Sequence, residues 1–420
     1  MYKLFELLEK YLIPVMTKLS EQRHLQAIRD GIISTIPLII VGSFFMIIAF
    51  PPVPALAALV KPYAAEILLP FRMTMGLMAL YACHSIGYHL AKSYRLDGVA
   101  GGLLAMAAFL LTSVPVNTGE QGLALLMSNL GGGGMFVAIL MALFAVEVLR
   151  FAKERKLTIR MPEGVPDSVA RSFEALIPAA LILPLVWLVR DVAGFDIQHF
   201  VMSLFQPLVL AGNSLVGILV PIVLITLLWA TGIHGDSVVG TVARPIWLVL
   251  LDQNIAAAAS GQPIPNIGPE PFFQWFVWIG GSGATIGLVL LMLVSRSPYL
   301  RSVGKATLLP GICNINEPVI FGVPVMLNPL LFVPFLVGPV VVGTLTYFAM
   351  SLELVTKPYI LVPWTLPGPI GAYLATGGDW RASVLVIINI IIVTGIYFPF
   401  FRAYEQKLMK EAETTREDLT

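Results

Sequence analysis

The residues best equipped for chemistry lie in one apolar stretch, residues 311–329. This stretch carries one carboxylate and three amides, on Glu317, Asn314, Asn316 and Asn328. An ionisable group in a stretch apolar enough for a membrane is energetically costly and therefore points to a function. Carboxylates and amides provide the hydrogen-bond acceptors and donors that sugar hydroxyls need. The stretch therefore predicts a polar ligand site bordered by Glu317, Asn316 and Asn314.

The position of Glu317 directly before Pro318 predicts a break in the backbone. Proline disfavours helical backbone in the residue before it and favours the first position of a new helix. We therefore expect a helix to begin at Pro318 and the carboxylate to face the junction rather than lipid. The alternative is a structural carboxylate that pairs with Arg244 or with a backbone amide.

A second break is predicted around His234. Gly232 and Gly235 bracket this histidine, and such glycines indicate a bend. Asp236 and Ser237 follow and could cap the next helix. A histidine in a bend beside an acid is a candidate for proton transfer. We therefore predict that this break contributes to the ligand site through His234, Gly232 and Gly235.

Two tryptophans lie beside predicted breaks, Trp229 before His234 and Trp364 in a proline-rich segment, residues 362–371. Aromatic faces present the apolar surface on which the C–H face of a sugar can stack. We predict both as stacking platforms, with interfacial anchoring as the alternative. The sequence has no His-x-x-x-His pair and no dense carboxylate cluster, so we expect neither a metal ion nor a cofactor.

The composition predicts the elements that must position these residues. The chain has 420 residues, of which 57% are hydrophobic and 12% charged, whereas soluble domains carry about 25% charged residues. We predict an all-α polytopic membrane protein with re-entrant hairpins. Residues 1–27 have the pattern of an amphipathic interfacial helix rather than of a cleaved signal peptide. The net charge of +1 does not indicate a nucleic-acid partner.

The apolar runs and the basic residues together predict the topology. Runs long enough to span a membrane lie near residues 31–50, 73–91, 98–115, 134–150, 174–190, 213–230, 274–294, 327–349 and 383–401. With the N-terminus in the cytoplasm, 20 of the 26 basic residues fall on the cytoplasmic side. This arrangement needs a tenth crossing at the weaker run 238–260 and places both termini in the cytoplasm. A hairpin within residues 231–273 is the alternative.

Several motifs resemble a known family. Gly-Ile-His-Gly at 232–235, Asn-Ile-Asn-Glu-Pro-Val-Ile-Phe-Gly-Val-Pro at 314–324 and Leu-Asn-Pro at 327–329 resemble the cellobiose/lactose family of IIC components of the bacterial phosphotransferase system. Glu-Lys-Tyr-Leu-Ile-Pro-Val at 9–15 is also similar. The likeness is greatest to the diacetylchitobiose and cellobiose permeases.

This resemblance implies a fold, a function and partners. It implies a homodimer in the bacterial inner membrane that imports a disaccharide, whose 6-hydroxyl is phosphorylated by a phosphocysteine on a separate cytoplasmic IIB protein. Residues 28–192 would form the dimerisation domain, 193–405 the substrate-binding domain and 406–420 a cytoplasmic tail.

The resemblance also implies roles for individual residues. His234 and Glu317 would lie near the phosphorylated hydroxyl, Asn316 would bind sugar, and Trp229 and Trp364 would stack on it. The chain would not be a phosphotransferase alone, because it supplies no residue that carries the phosphoryl group.

Two rival functions follow from the same residues. A secondary sugar transporter could couple to protons through Glu317 and His234, because broken helices suit such transporters equally well. An intramembrane enzyme is disfavoured, because no nucleophile–base pair is recognisable.

Overall fold

A computed structural model describes residues 14, 18, 21–51, 54–113, 115–119, 122–159, 161–162, 173–323, 325 and 328–417. These residues are mainly helical, apart from one short antiparallel hairpin that pairs β1 (Val116–Asn117) with β2 (Leu123–Ala124). The structure divides into two compact units. Most of the predicted helix 1–27 lies outside the described residues.

The first unit comprises Leu19–Met46 and Tyr63–Leu210. Its helices are α1 (Arg23–Ile33), α2 (Ile36–Ala49), α4 (Ala64–Ile67), α5 (Leu69–Thr74), α6 (Met78–Ser93), α7 (Gly98–Thr112), α8 (Met135–Glu154), α9 (Leu176–Trp187) and α10 (Ile197–Gly212). The last residues of α2 and α10 lie just beyond the limits of this unit. α6 packs closely on α7 because both helices have a glycine at the crossing. A Cβ on Gly87 would lie 2.7 Å from the carbonyl oxygen of Gly101, and a Cβ on Gly101 would lie 2.8 Å from that of Gly87. Such small residues let membrane helices approach closely.

The second unit is built mainly from Ala211–Thr420, with α3 (Pro54–Val60) in a separate segment. Its other helices are α11 (Leu215–Ala230), α12 (Gly235–Ala259), α13 (Glu270–Phe272), α14 (Ile286–Leu293), α15 (Pro298–Ile312), α16 (Glu317–Gly322), α17 (Pro329–Ser351), α18 (Gly368–Ala375) and α19 (Trp380–Glu417). A short π-helical turn, Phe273–Val277, follows α13.

A buried polar contact joins the long helices α17 and α19. Asn389 on α19 donates its amide hydrogens to Thr346 Oγ1 on α17 and to the carbonyl oxygen of Phe276, each at 3.0 Å. Hydrogen bonds of this kind connect helices where no water is present to satisfy the side chains. They tie α17 and α19 to the segment that precedes the functional site.

The structure confirms the predicted class, a helical membrane protein. Among the described residues, five helical stretches are long and apolar enough to cross a membrane: Arg23–Ala49, Ala58–Ser93, Gly132–Glu154, Leu330–Ser351 and Trp380–Glu411. Leu176–Val192 and Ile197–Gly212 form an apolar pair bent by 86°, as in a broken span or a re-entrant loop. Gly98–Thr112 and Leu215–Trp229 are shorter apolar helices.

Two segments differ from the arrangement predicted from hydropathy. Residues 190–212, expected to connect two spans, contain α10. The predicted continuous span 274–294 is interrupted, because Gly280, Gly281 and Gly283 all have positive φ angles. Such angles suit glycine and end regular helix, so only α14, residues 286–293, is helical at the end of this run.

Candidate functional site

The first break follows α11 and is closed by a glycine C-cap. Gly232 has a φ of +85°. Its N–H donates to the carbonyl oxygen of Trp229 at 3.1 Å, and the N–H of Ile233 donates to that of Leu228 at 3.1 Å. This pair of bonds is the Schellman motif, which ends a helix at a left-handed residue. The sequence prediction of a bend here is confirmed.

His234 caps the next helix with its ring. Its Nδ1 accepts a hydrogen bond from the N–H of Ser237 at 3.2 Å and lies 3.0 Å from Ser237 Oγ. A ring nitrogen that accepts a backbone hydrogen bond leaves the proton of the neutral ring on Nε2. Gly235 is required beside it, because a Cβ there would collide with the backbone of Ile225 on α11.

The second break separates α15 from α16. α15 ends at Ile312 and α16 begins at Glu317, one residue earlier than predicted. Asn314 lies between them with a φ of +61°, a left-handed conformation that asparagine tolerates better than most residues. The predicted break in this stretch is therefore confirmed, and it places Glu317 in the first turn of a short helix.

The two breaks bring His234 and Glu317 together. His234 Nε2 lies 3.8 Å from Glu317 Oε1, and the two side chains are 48% and 46% exposed. This separation is too long for a direct hydrogen bond. A hydroxyl oxygen that lies beside the pair, about 2.8 Å from each atom, can bridge them by accepting from the imidazole N–H and donating to the carboxylate. Contact with a hydroxyl group is therefore within the chemistry of this pair.

Arg244, the alternative partner considered for Glu317, pairs elsewhere. Its Nε lies 3.1 Å from Glu270 Oε1, and both side chains are largely buried. Among the described residues, Glu317 therefore faces His234 rather than a permanent cation. Within the described residues, no group of three His, Cys, Asp or Glu side chains could hold a metal ion.

The predicted amide ligands are buried and engaged with backbone. Asn314 accepts from the N–H of Gly280 at 3.0 Å and donates to the carbonyl oxygens of Trp364 and Leu366 at 2.9 and 3.0 Å. Asn316 donates to the carbonyl oxygen of Ser282 at 2.6 Å. The structure therefore places both side chains in the walls of the site, and their contact with a sugar stays a prediction.

The predicted stacking residues differ in their environment. Trp364 is 45% exposed, on a non-helical segment before α18. Trp229 is only 4% exposed, and its ring centroid lies 4.5 Å from that of His234. Its buried Nε1 has no hydrogen-bond partner within the described residues. In this structure Trp229 supports His234, whereas Trp364 presents an open aromatic surface.

The sequence did not predict one element of the site, the turn 279–285, which donates a hydrogen bond to Asn314 and accepts one from Asn316. The available signal was its glycine run, Gly280-Gly281-Ser282-Gly283, inside an otherwise apolar stretch. Glycine is needed at 281 because a Cβ there would lie 2.5 Å from Asn316 Cγ.

The fold and the site define a class of protein. A helical membrane protein with two interrupted segments, each presenting a polar side chain to the same point, has the architecture of a permease for a polar solute. The comparison of sequences identifies the family. The chain belongs to the phosphotransferase system EIIC family, whose pattern matches residues 29–339.

Individual relatives agree with this assignment. The lichenan permease IIC component of Bacillus subtilis (strain 168) is 40% identical, with 98% of this chain and 96% of the relative covered. The cellobiose-specific EIIC component of Geobacillus stearothermophilus is also 40% identical, with 98% and 97% covered.

A solved structure supports the fold. The transporter ChbC, the IIC component from the N,N'-diacetylchitobiose-specific phosphotransferase system, superposes with a TM-score of 0.91 at 40% identity, with 97% of this chain and 99% of that chain covered. The predicted family is therefore confirmed. The proton-coupled transporter is not favoured by these relatives.

Proposed function

We propose that this chain imports a disaccharide, such as diacetylchitobiose or cellobiose, and presents its 6-hydroxyl for phosphorylation by a phosphocysteine IIB protein. The observation that carries this proposal is the approach of His234 Nε2 to Glu317 Oε1, 3.8 Å apart and both exposed, which lets one hydroxyl group beside the pair contact both atoms. The cellobiose- and diacetylchitobiose-specific names of the relatives support the substrate class.

The proposed step uses the pair to orient and deprotonate the sugar. The Nε2–H of His234 donates to the 6-oxygen, and Glu317 accepts the hydroxyl proton as the new O–P bond forms. The S–P bond of the partner's phosphocysteine breaks, and its electron pair remains on the departing thiolate. Phosphoryl transfer depends chiefly on positioning and electrostatics, which a fixed imidazole and carboxylate provide.

The sugar rings would contact the remaining predicted residues. Trp364 is the better placed platform, because its ring is exposed. Trp229 is buried against the His234 ring and would contribute by holding that ring in place; its contact with the sugar stays a prediction. Asn314, Asn316 and the backbones at Gly232 and Gly235 would border the sugar or hold the groups that contact it.

The proposed setting is a homodimer in the bacterial inner membrane with both termini in the cytoplasm. The bias of basic residues towards one side of the predicted topology supports this orientation. Residues 28–192 would form the dimer scaffold, and residues 193–405 would move against it to expose the sugar inward.

Phosphorylation by purified components tests this proposal. Detergent-purified protein, a phosphorylated IIB protein and radiolabelled cellobiose or diacetylchitobiose would be combined, and the product would be mapped by NMR. We expect a sugar phosphorylated at a 6-position only when both proteins are present. A lack of product with every disaccharide tested would overturn the proposal, as would phosphate at another hydroxyl.

A further inference from the structure

The turn 279–285 connects several elements around the reacting pair. The N–H of Gly280 in this turn donates to Asn314 Oδ1 at 3.0 Å. On its other side, Tyr397 on α19 donates its hydroxyl to the carbonyl oxygen of Gly283 at 2.9 Å. Thr285 closes the turn by donating to the carbonyl oxygen of Gly280. The turn is thus anchored to the second break and to α19.

Ser282, in the middle of this turn, contacts both breaks at once. Its hydroxyl donates to Asp236 Oδ2 at 3.0 Å, two residues after His234. Its carbonyl oxygen accepts from Asn316 Nδ2 at 2.6 Å, one residue before Glu317. Ser282 is only 5% exposed, so water competes little for these bonds.

These two hydrogen bonds of Ser282 matter because the two reacting groups belong to separate helices. His234 stands at the start of α12 and Glu317 at the start of α16, and the gap of 3.8 Å separates their side chains. Hydrogen-bond geometry tolerates shifts of only a few tenths of an ångström. A displacement of about 1 Å can reduce a rate about 100-fold.

We propose that Ser282 is a positioning residue that sets the distance between His234 and Glu317 through the chain Asp236–Ser282–Asn316. This inference rests on the proposed function, because it concerns the same phosphoryl transfer. Ser282 touches neither reacting group, so it acts through the placement of the two helix starts. Its hydroxyl can be removed without removing the carbonyl oxygen that binds Asn316.

The Ser282→Ala variant tests the proposal by separating turnover from binding. We expect the rate of phosphoryl transfer at saturating sugar to fall at least tenfold, because the start of α12 is no longer held. We expect the Kd for the sugar, measured by isothermal titration calorimetry, to change less than threefold. A purely structural role would instead lower the thermal midpoint and reduce rate and binding capacity together.

A double-mutant cycle with Asp236→Ala identifies the bond responsible. If the Ser282–Asp236 bond carries the effect, the double variant should be no slower than the slower single variant. Asp236→Asn keeps a neutral acceptor and should give a rate between those of wild type and Asp236→Ala. This variant remains informative if Ser282→Ala does not fold.

A matched control lies at the far end of α12. Ser260, the residue that follows this helix, is exposed, and its hydroxyl donates to the carbonyl oxygen of Ala256, one turn away. The Ser260→Ala variant should therefore retain the wild-type rate.

The outcomes separate this inference from the proposed function. If wild type gives no phosphorylated sugar, the proposed function fails. If wild type is active and Ser282→Ala keeps its rate, or if the losses of Ser282→Ala and Asp236→Ala multiply, only the positioning role is overturned.

Discussion

Replacement of Glu317 by glutamine separates the proton-accepting role of this residue from its role in binding. Glutamine keeps the size of the side chain and an oxygen that can accept a hydrogen bond from a sugar hydroxyl. A hydrogen bond to a charged group contributes about 1 kcal/mol more than a neutral one, so the sugar affinity should fall about fivefold. The side chain is 46% exposed, so the variant should fold normally.

The effect of Glu317→Gln on the rate should be much larger than its effect on affinity. A general base typically contributes about 10²–10⁴-fold to a rate, or about 3–5 kcal/mol of barrier. The assay is transfer of ³²P from phosphorylated IIB to the sugar at saturating sugar concentration, with Kd measured by calorimetry. Glu66→Gln, which alters an exposed carboxylate in the other unit, is the control. A rate within threefold of wild type would refute the assignment of Glu317 as the base.

Three further substitutions test the site and the fold around it. Trp229→Ala should lower the thermal midpoint, because large-to-small changes of a buried aromatic cost about 3–5 kcal/mol, and should weaken sugar binding by calorimetry; unchanged affinity would remove Trp229 from the site. Burial disfavours the ionised form of Asp379 and by itself would raise its pKa. Hydrogen bonds that include those from Arg381 outweigh this effect and lower the pKa to about 2. A carboxyl group whose pKa is lower in the folded state than in the unfolded state stabilises the fold at any pH above the unfolded-state pKa. Asp379→Asn should therefore lower the free energy of unfolding by about 2 kcal/mol at neutral pH. This difference from wild type should disappear as the pH falls from about 4 to about 2 in thermal unfolding experiments, and a difference that persists at pH 2 would exclude this cause. Gly281→Ala should lose phosphorylation activity, because its φ of +97° strains any other residue and its Cβ would meet the Asn316 side chain; wild-type activity would show that the turn adapts.

Local sequence signals predicted the two breaks, because proline and glycine restrict or release the backbone at their own positions. Pro318 and Gly232 act in this way, and the structure has a helix boundary beside each. The proximity of His234 to Glu317 was implied by the family resemblance, and the structure brings these side chains to 3.8 Å. The two breaks, by contrast, depend on chemistry that a short stretch of sequence contains.

The partners of the amide side chains could not be predicted in the same way. Asn314 and Asn316 were expected to face a ligand, but both bond to backbone groups that include the turn 279–285, 34 residues away for each. An amide has the same donors and acceptors whether it binds a sugar or a carbonyl group. Only the tertiary fold decides between these partners, and the same holds for the burial of Trp229.

Transport in proteoliposomes distinguishes phosphorylation-coupled import from proton-coupled transport by this protein. Vesicles that contain the protein would be supplied with external radiolabelled disaccharide, with or without phosphorylated IIB inside and with or without a proton gradient. Phosphorylation-coupled import predicts that sugar phosphate accumulates inside only with phosphorylated IIB, whatever the gradient. Uphill accumulation of free sugar that follows the proton gradient and needs no IIB would contradict it.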